Sequence, residues 1–317
     1  MDNSWQPGAK LSTLRKRAEV IAQIREFFAE RGVLEVDTPL LSTATASDIH
    51  LDSFLINTCN GSRYLQTSPE SAMKRLLAAH GEPIYQLCKA FRVDESGSRH
   101  NPEFSMLEWY RPGFNIDDLA REVADLVAVT TGIQEVKTSE YQQLFIEQLD
   151  VDPWQCSVEE LASLAADKLS TRIDGANKTV LLDLLFSHLI EPLLGEGCQQ
   201  FVYGFPPEQA AQSCVRTDSE GRQYAERFEL FLCGTELANG YNELRDAGEF
   251  RDRVAADRGQ RLVDHKAIVP VDEHLIAALE HGLPDCAGVA LGIDRLIMIA
   301  LGATSISEVI SFDWSRS

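Results

Sequence analysis

The sequence predicts an α+β fold, an antiparallel β-sheet flanked by helices. Three observations carry this. Residues 84–94 and 104–111 read as two strands joined by a polar loop, Glu95 to Glu103. An apolar strand, residues 287–291, passes through Gly292 into an apolar helix that runs to Leu301. An amphipathic helix precedes both, with Leu11, Leu14, Ala18, Ile21, Ile24 and Phe28 at three- and four-residue spacing. No repeat, low-complexity tract or obvious linker interrupts residues 1–317, so one mixed domain is the simplest arrangement.

The elements follow in order. The first helix is expected over residues 11–31, with Gly32 at a left-handed C-cap. Residues 33–36 read as a short strand stopped by Asp37-Thr38-Pro39. A second helix spans residues 69–80, with Ser68 as N-cap, Pro69 in the first position and Glu70 in the first turn. Residues 140–195 are mostly helical, 200–205 and 227–233 are further strands, and a helix from Asp272 to His281 ends at Gly282.

The chain has 317 residues, 44% of them hydrophobic, enough for a large core. No apolar run reaches the roughly 18 residues a membrane span needs, and no signal peptide is evident, so a cytoplasmic protein is expected. Seven scattered cysteines without a C-x-x-C pair read as reduced thiols. The net charge of -20 disfavours a nucleic-acid partner, whose backbone calls for a basic patch. The densest basic run, Arg15-Lys16-Arg17, lies on the first helix among acids.

Three clusters carry potential chemistry. Alternation puts Arg92 and Asp94 on one strand face, and Phe104, Met106, Glu108 and Tyr110 on one face of the returning strand. If the faces coincide, one surface offers a guanidinium for phosphate, a ring for a base and carboxylates for an ammonium. By itself, a charged hairpin face is more often simply solvated. The second cluster is Glu229, Glu236, Asn239 and Glu243, the last two sharing a face with Tyr241 if the segment is extended. Such carboxylates suit Mg²⁺ that arrives with phosphate. A lone glutamate is more often a solvated acid, though Phe228, Leu230 and Leu232 surround Glu229 with apolar residues. The third cluster is Gly288-Val289-Ala290-Leu291-Gly292-Ile293-Asp294-Arg295, a strand–glycine–helix junction with an arginine in the first turn. Gly292 would let backbone approach a ligand; a packing glycine is the ordinary alternative.

Together these segments resemble the three signature motifs of class II aminoacyl-tRNA synthetases. Motif 1 matches residues 11–39 with Pro39. Motif 2 matches Phe91-Arg92-Val93-Asp94 and Arg99-His100-Asn101-Pro102-Glu103-Phe104, and motif 3 matches Gly292-Ile293-Asp294-Arg295. Thr67-Ser68-Pro69-Glu70, Glu108-Trp109-Tyr110 and Glu236-Leu237-Ala238-Asn239-Gly240-Tyr241-Asn242-Glu243 are similar to the lysyl branch. The resemblance implies ATP binding by Arg92, Val93, Asp94, His100, Asn101, Phe104, Glu236, Leu237, Gly292 and Arg295, with Arg92 and Arg295 catalytic. Asp94 stands where the family usually has glutamate. The resemblance also implies amino-acid binding by Ser68, Pro69, Glu70, Glu108, Tyr110, Asn239, Glu243 and Ala290, and Mg²⁺ at Glu229 and Glu236.

The anticodon-reading OB-fold of the lysyl enzymes has no counterpart ahead of residue 11. The chain therefore resembles the ligase family that attaches (R)-β-lysine, or lysine, to elongation factor P. That implies a protein acceptor, no tRNA, and a homodimer built on motif 1, with Leu14, Ile21 and Phe28 as candidate interface positions. Ala290 stands where synthetases carry glycine, and its methyl is expected to favour the β isomer. A truncated synthetase that charges tRNA and an inactive regulatory paralogue are the competing expectations. The presence of Arg92 and Arg295 speaks against the second.

Overall fold

The computed structural model describes residues 5–93, 95–170 and 175–317. The chain begins with α1 (Leu11–Glu30), followed by Gly32 at φ +64°, the left-handed conformation that suits glycine. Short strands β1 (Leu34–Glu35), β2 (Leu41–Ser42), β3 (Leu55–Thr58) and β4 (Gly61–Leu65) lead to α2 (Glu70–His80). The expected hairpin is β5 (Ile84–Phe91) and β6 (Glu103–Pro112), followed by α3 (Ile116–Thr131) and β7 (Val136–Glu140). Helices α4 (Tyr141–Leu149), α5 (Val158–Leu169) and α6 (Lys178–Leu185) occupy the stretch expected to be helical. Then come β8 (Gln199–Phe205), β9 (Val215–Thr217), β10 (Gln223–Leu232) and β11 (Thr235–Asn242). The chain continues through α7 (Ala247–Val263), α8 (Glu273–His281), β12 (Cys286–Gly292) and α9 (Ile293–Leu301).

Among the described residues the main sheet has nine strands in the order β1-β5-β6-β12-β11-β10-β8-β7, with β9 beside β10. Its interior pairs are antiparallel, as expected. At the edges β1 runs parallel to β5 and β7 parallel to β8, so the sheet is mixed. One face is dry. Leu107 and Trp109 of β6, Val289 and Leu291 of β12, and Phe228 and Leu230 of β10 pack there under α1, α3 and α9. The alternate residues of the same strands face the other way, as period-two geometry requires, and that second face carries the site.

Two expectations about helices shift. The buried stripe of α1 is Val20, Ile24, Phe27 and Phe28, while Leu11 and Ala18 are exposed. Phe28 stacks on Tyr85 with centroids 4.3 Å apart and belongs to the chain's own core. It is therefore unavailable to a dimer partner; Leu14 and Ile21 are half-buried. The second helix starts at Glu70, and Pro69 occupies its cap position. Ser68 still accepts the Glu70 amide at 3.4 Å through Oγ.

The segment that sequence patterns left without a role forms a wall. Tyr141 and Phe145 of α4, Leu161 of α5 and Leu181 of α6 pack against Val202 and Phe231, the far end of the sheet. A second cover comes from α7. Arg261, 1% exposed, donates through Nη1 to the carbonyls of Asp48 (2.8 Å) and Leu51 (3.1 Å), and through Nη2 to Asp52. Lys266 adds a 2.6 Å bond to the carbonyl of Ile49. These bonds hold the loop of residues 47–52 at the rim of the cavity described next.

Candidate active site

Strand register builds the site. Glu229 of β10 lies opposite Asn239 of β11, Asn239 opposite Ala290 of β12, Ala290 opposite Glu108 of β6, and Glu108 opposite Gln86 of β5. One row thus crosses five strands. A second row, one side-chain repeat along, reads Arg227, Tyr241, Gly288, Tyr110 and Ile84. The open face borders a cavity of about 850 Å³ lined by residues of all three sequence clusters. Glu229 and Glu108 are three strand spacings apart, roughly 14 Å at 4.7–4.9 Å each. They therefore serve different parts of a ligand.

One end of the cavity is built from the hairpin and α9. The strand β5 stops at Phe91, earlier than expected, but the Arg92 amide still donates to the Pro102 carbonyl at 2.9 Å. Arg92 therefore stays on the site face. Its guanidinium lies 5.1 Å from the Phe104 ring centroid, and its buried Nε has no protein partner. Arg295 donates to the Glu236 carbonyl at 2.7 Å and meets His100 Nε2 at 2.5 Å. Burial, with Arg295 next in weight, holds His100 below the usual imidazole range, so its ring accepts from the guanidinium. A ring and two arginines facing one cleft suit a base and its phosphates.

The other end is carboxylate-rich and dry. Glu108 is 2% exposed. It accepts from the Tyr110 hydroxyl at 2.6 Å on Oε1 and leaves Oε2 unpartnered. Burial pushes Glu108 up to about 8, and the charge of Glu70 adds to this. Lys74 lies among these acids, 1% exposed, with Nζ 2.6 Å from Glu70 Oε1 and 2.6 Å from Glu243 Oε2. Burial alone would lower Lys74, but Glu243 and Glu70 outweigh it and hold the ammonium well above its usual range. Gly288 makes this packing possible. A Cβ there would come within 2.4 Å of Glu243 Oε1 and of the Tyr110 ring.

Mg²⁺ is ordinarily held through one or two carboxylates plus substrate phosphates. Glu229 fits such a role in part. Burial pushes it up to about 8 even though Arg227 contacts it directly, and the Oδ1 of Asn239 opposite is buried without a partner. Glu236 stands 3.6 Å from Arg295. Among the described residues no group of three His, Cys, Asp or Glu comes together as a metal cage.

The chain that carries these motifs on one largely antiparallel sheet has a match among family models. The model for class II tRNA synthetases (D, K and N) covers residues 8–315. The chain belongs to this family. Three relatives are each named elongation factor P--(R)-beta-lysine ligase. The protein from Edwardsiella ictaluri is 48% identical over 99% of this chain and 98% of its own. Those from Pectobacterium carotovorum and Proteus mirabilis are 47% and 48% identical, each over 99% of this chain and 98% of their own.

Within this class II framework most residues singled out from the sequence line the one cavity. These include Ser68, Pro69, Glu70, Arg92, His100, Phe104, Glu108, Tyr110, Glu229, Glu236, Asn239, Glu243, Ala290, Gly292 and Arg295. Four call for comment. Asp94 lies outside the described residues. Asn101 also lines the cavity, yet its side chain is engaged, donating to the Glu103 carbonyl at 2.6 Å and accepting from the Trp314 amide at 2.9 Å. Leu237 is packed into the main core and meets the cavity at its edge. Gly292 is not forced by the protein, because a Cβ there would meet the Arg295 side chain at an ordinary 3.6 Å. The amide of Val93 donates to the Asp52 carbonyl, joining the motif 2 strand to the rim loop.

Sequence reasoning missed Lys74 and Arg227. Both are buried cations beside acids of the cavity, Glu243 buried and Glu229 half-buried. A signal existed for Lys74: a lysine between Met73 and Leu77, four residues after Glu70, on a helix whose neighbours are apolar.

Proposed function

We propose that this chain is an ATP-dependent ligase that activates (R)-β-lysine, or lysine, and transfers it to a lysine ε-amine of elongation factor P. The observation that carries this is the division of the cavity. Arg92, Phe104 and Arg295 stand at one end, and Glu108, Tyr110, Glu70 and Glu243 at the other, with Ala290 between Glu108 and Asn239 in one row. A substrate with a carboxylate near the arginines and ammonium groups among the acids fits that polarity. The shared name of relatives at 47–48% identity supports the acceptor.

In the first step the substrate carboxylate attacks the α-phosphorus of ATP. A P–O bond forms, the bond to pyrophosphate breaks, and an aminoacyl-adenylate results. Arg92 holds the α-phosphate and carboxylate together, Phe104 and Arg295 sandwich the base, and the acids orient the amino acid. Positioning and charge stabilisation supply the catalysis. Mg²⁺ bound with ATP would neutralise phosphate charge beside Glu229 and Glu236. In the second step a deprotonated lysine ε-amine of the acceptor attacks the acyl carbon, forming an amide and releasing AMP. The chain works as one catalytic unit, in the cytoplasm, as a homodimer through α1.

The experiment is direct. The protein is incubated with ATP, Mg²⁺ and labelled β-lysine or lysine, in the presence of both elongation factor P and tRNA. Label on the factor is expected; label on tRNA alone would overturn the proposed acceptor. Absence of pyrophosphate exchange with either amino acid would overturn activation itself.

A further inference from the structure

The carboxylates expected to hold substrate amines are not equivalent, and Lys74 makes the difference. Its ammonium lies 2.6 Å from both Glu70 and Glu243 and 3.1 Å from the Gln212 side-chain oxygen, so three oxygens surround it. The pair on Lys74 therefore carries a combined charge of one negative unit when both acids are ionised. Glu108, held by Tyr110 alone among its hydrogen bonds, keeps a buried free oxygen and supplies a second negative unit once a bound ammonium displaces its proton. The carboxylate end of the cavity can thus balance two ammonium groups, not three.

We propose that Lys74 is a positioning and specificity-determining residue, a built-in counter-ion that trims the Glu70–Glu243 pair to one negative unit and so matches the carboxylate end of the cavity to the two ammonium groups of a diamino acid. This rests on reading the cavity as a diamino-acid site. Without Lys74 the half-buried Glu70 and the buried Glu243 would together face one substrate ammonium. Two like charges in a dry pocket cannot both stay ionised, and the site would take up a proton instead of ligand. The groups facing Glu243 are Lys74 and Glu70 of α2, Glu108 and Tyr110 of β6, and the thiols of Cys214 and Cys286. Lys74 is the one cation among them.

The test uses pyrophosphate exchange on the full chain with β-lysine, lysine and norleucine, whose side chain ends without an amine. Lys74→Met is expected to raise KM for the diamino acids at least tenfold, with a smaller change in kcat and KM for ATP within twofold. The double variant Lys74→Met/Glu70→Gln restores the single negative charge and is expected to recover most of the loss. A double variant no better than the single would mean that Lys74 only packs, and would overturn the proposal. If Lys74→Met does not fold, Glu70→Gln alone decides. It leaves Lys74 and Glu243 as a neutral pair, so the preference for lysine over norleucine should fall at least tenfold, and an unchanged preference overturns the proposal. Wild-type protein that activates none of these amino acids would remove the functional reading and this inference together. Active wild type with an unaltered Lys74→Met KM would remove this inference alone.

Discussion

Arg17 and Asp294 form a 2.6 Å ion pair that ties the first helix to the last. Asp294 is 2% exposed and also accepts the Ser105 amide at 2.7 Å, while Arg17 reaches the Ser105 hydroxyl at 2.8 Å. Motif 1, the returning strand of motif 2 and motif 3 therefore meet at one buried carboxylate. Its neighbour Arg295 points the other way, into the cavity. The pair Asp294-Arg295 couples the fold to the site through adjacent residues.

Breaking one side of a buried pair leaves a charge without its partner. Asp294→Asn is expected to cost about 3 kcal/mol of stability, read as a lower denaturation midpoint in urea. Because β6 also carries Phe104, KM for ATP should rise as well. Unchanged stability would show that the pair is dispensable.

Ala290 lies between Glu108 and Asn239 on the row that crosses the site. A methyl in a tight pocket discriminates by about 1–3 kcal/mol. Ala290→Gly is expected to shift the ratio of kcat/KM for β-lysine over lysine toward lysine by roughly tenfold or more. Parallel exchange assays with both isomers measure it, and an unchanged ratio would assign the preference to other residues.

Glu108 gives the free protein a pH dependence. Its carboxyl, normally near 4.5, is pushed up to about 8 by burial first and by Glu70 next. Between these values the folded chain holds a proton that the unfolded chain has released. Stability from this group therefore falls as pH rises through that window. Wild-type Tm should drop from pH 5 to pH 8.5 more steeply than that of Glu108→Gln. A diamino acid should flatten the wild-type slope, since its ammonium stabilises the ionised carboxylate. Parallel slopes for the two proteins would refute the assignment.

Arg261 is 1% exposed and spends its donors on the Asp48 and Leu51 carbonyls, Asp52 and the Ala267 carbonyl. Arg261→Met would remove its bonds to those acceptors, leaving Lys266 as the remaining cation on Asp52, and loosen the rim loop. The expected outcome is a loss of about 3 kcal/mol and a higher KM for the amino acid. Hydrogen exchange at residues 47–52 should rise. Unchanged exchange there would show that the loop holds itself.

The sequence by itself determined the alternation that splits each strand into a dry face and a site face. Met106, Glu108 and Tyr110 diverge from Leu107 and Trp109 for the purely local reason that strand side chains alternate. It also determined the order of the three motifs, and with it the family and most of the cavity lining. Partners remote in sequence were decided by tertiary structure. Register, not local pattern, set Ala290 opposite Glu108 and Glu229 opposite Asn239. Periodicity on α1 could not tell a dimer face from a core face, and Phe28 went to the core because Tyr85 and Trp109 meet it there. The mutual roles of Glu70, Glu243 and Lys74 were likewise hidden. An ion pair is a matter of distance and dielectric, and residues 74 and 243 become neighbours only when α2 packs over the end of the sheet.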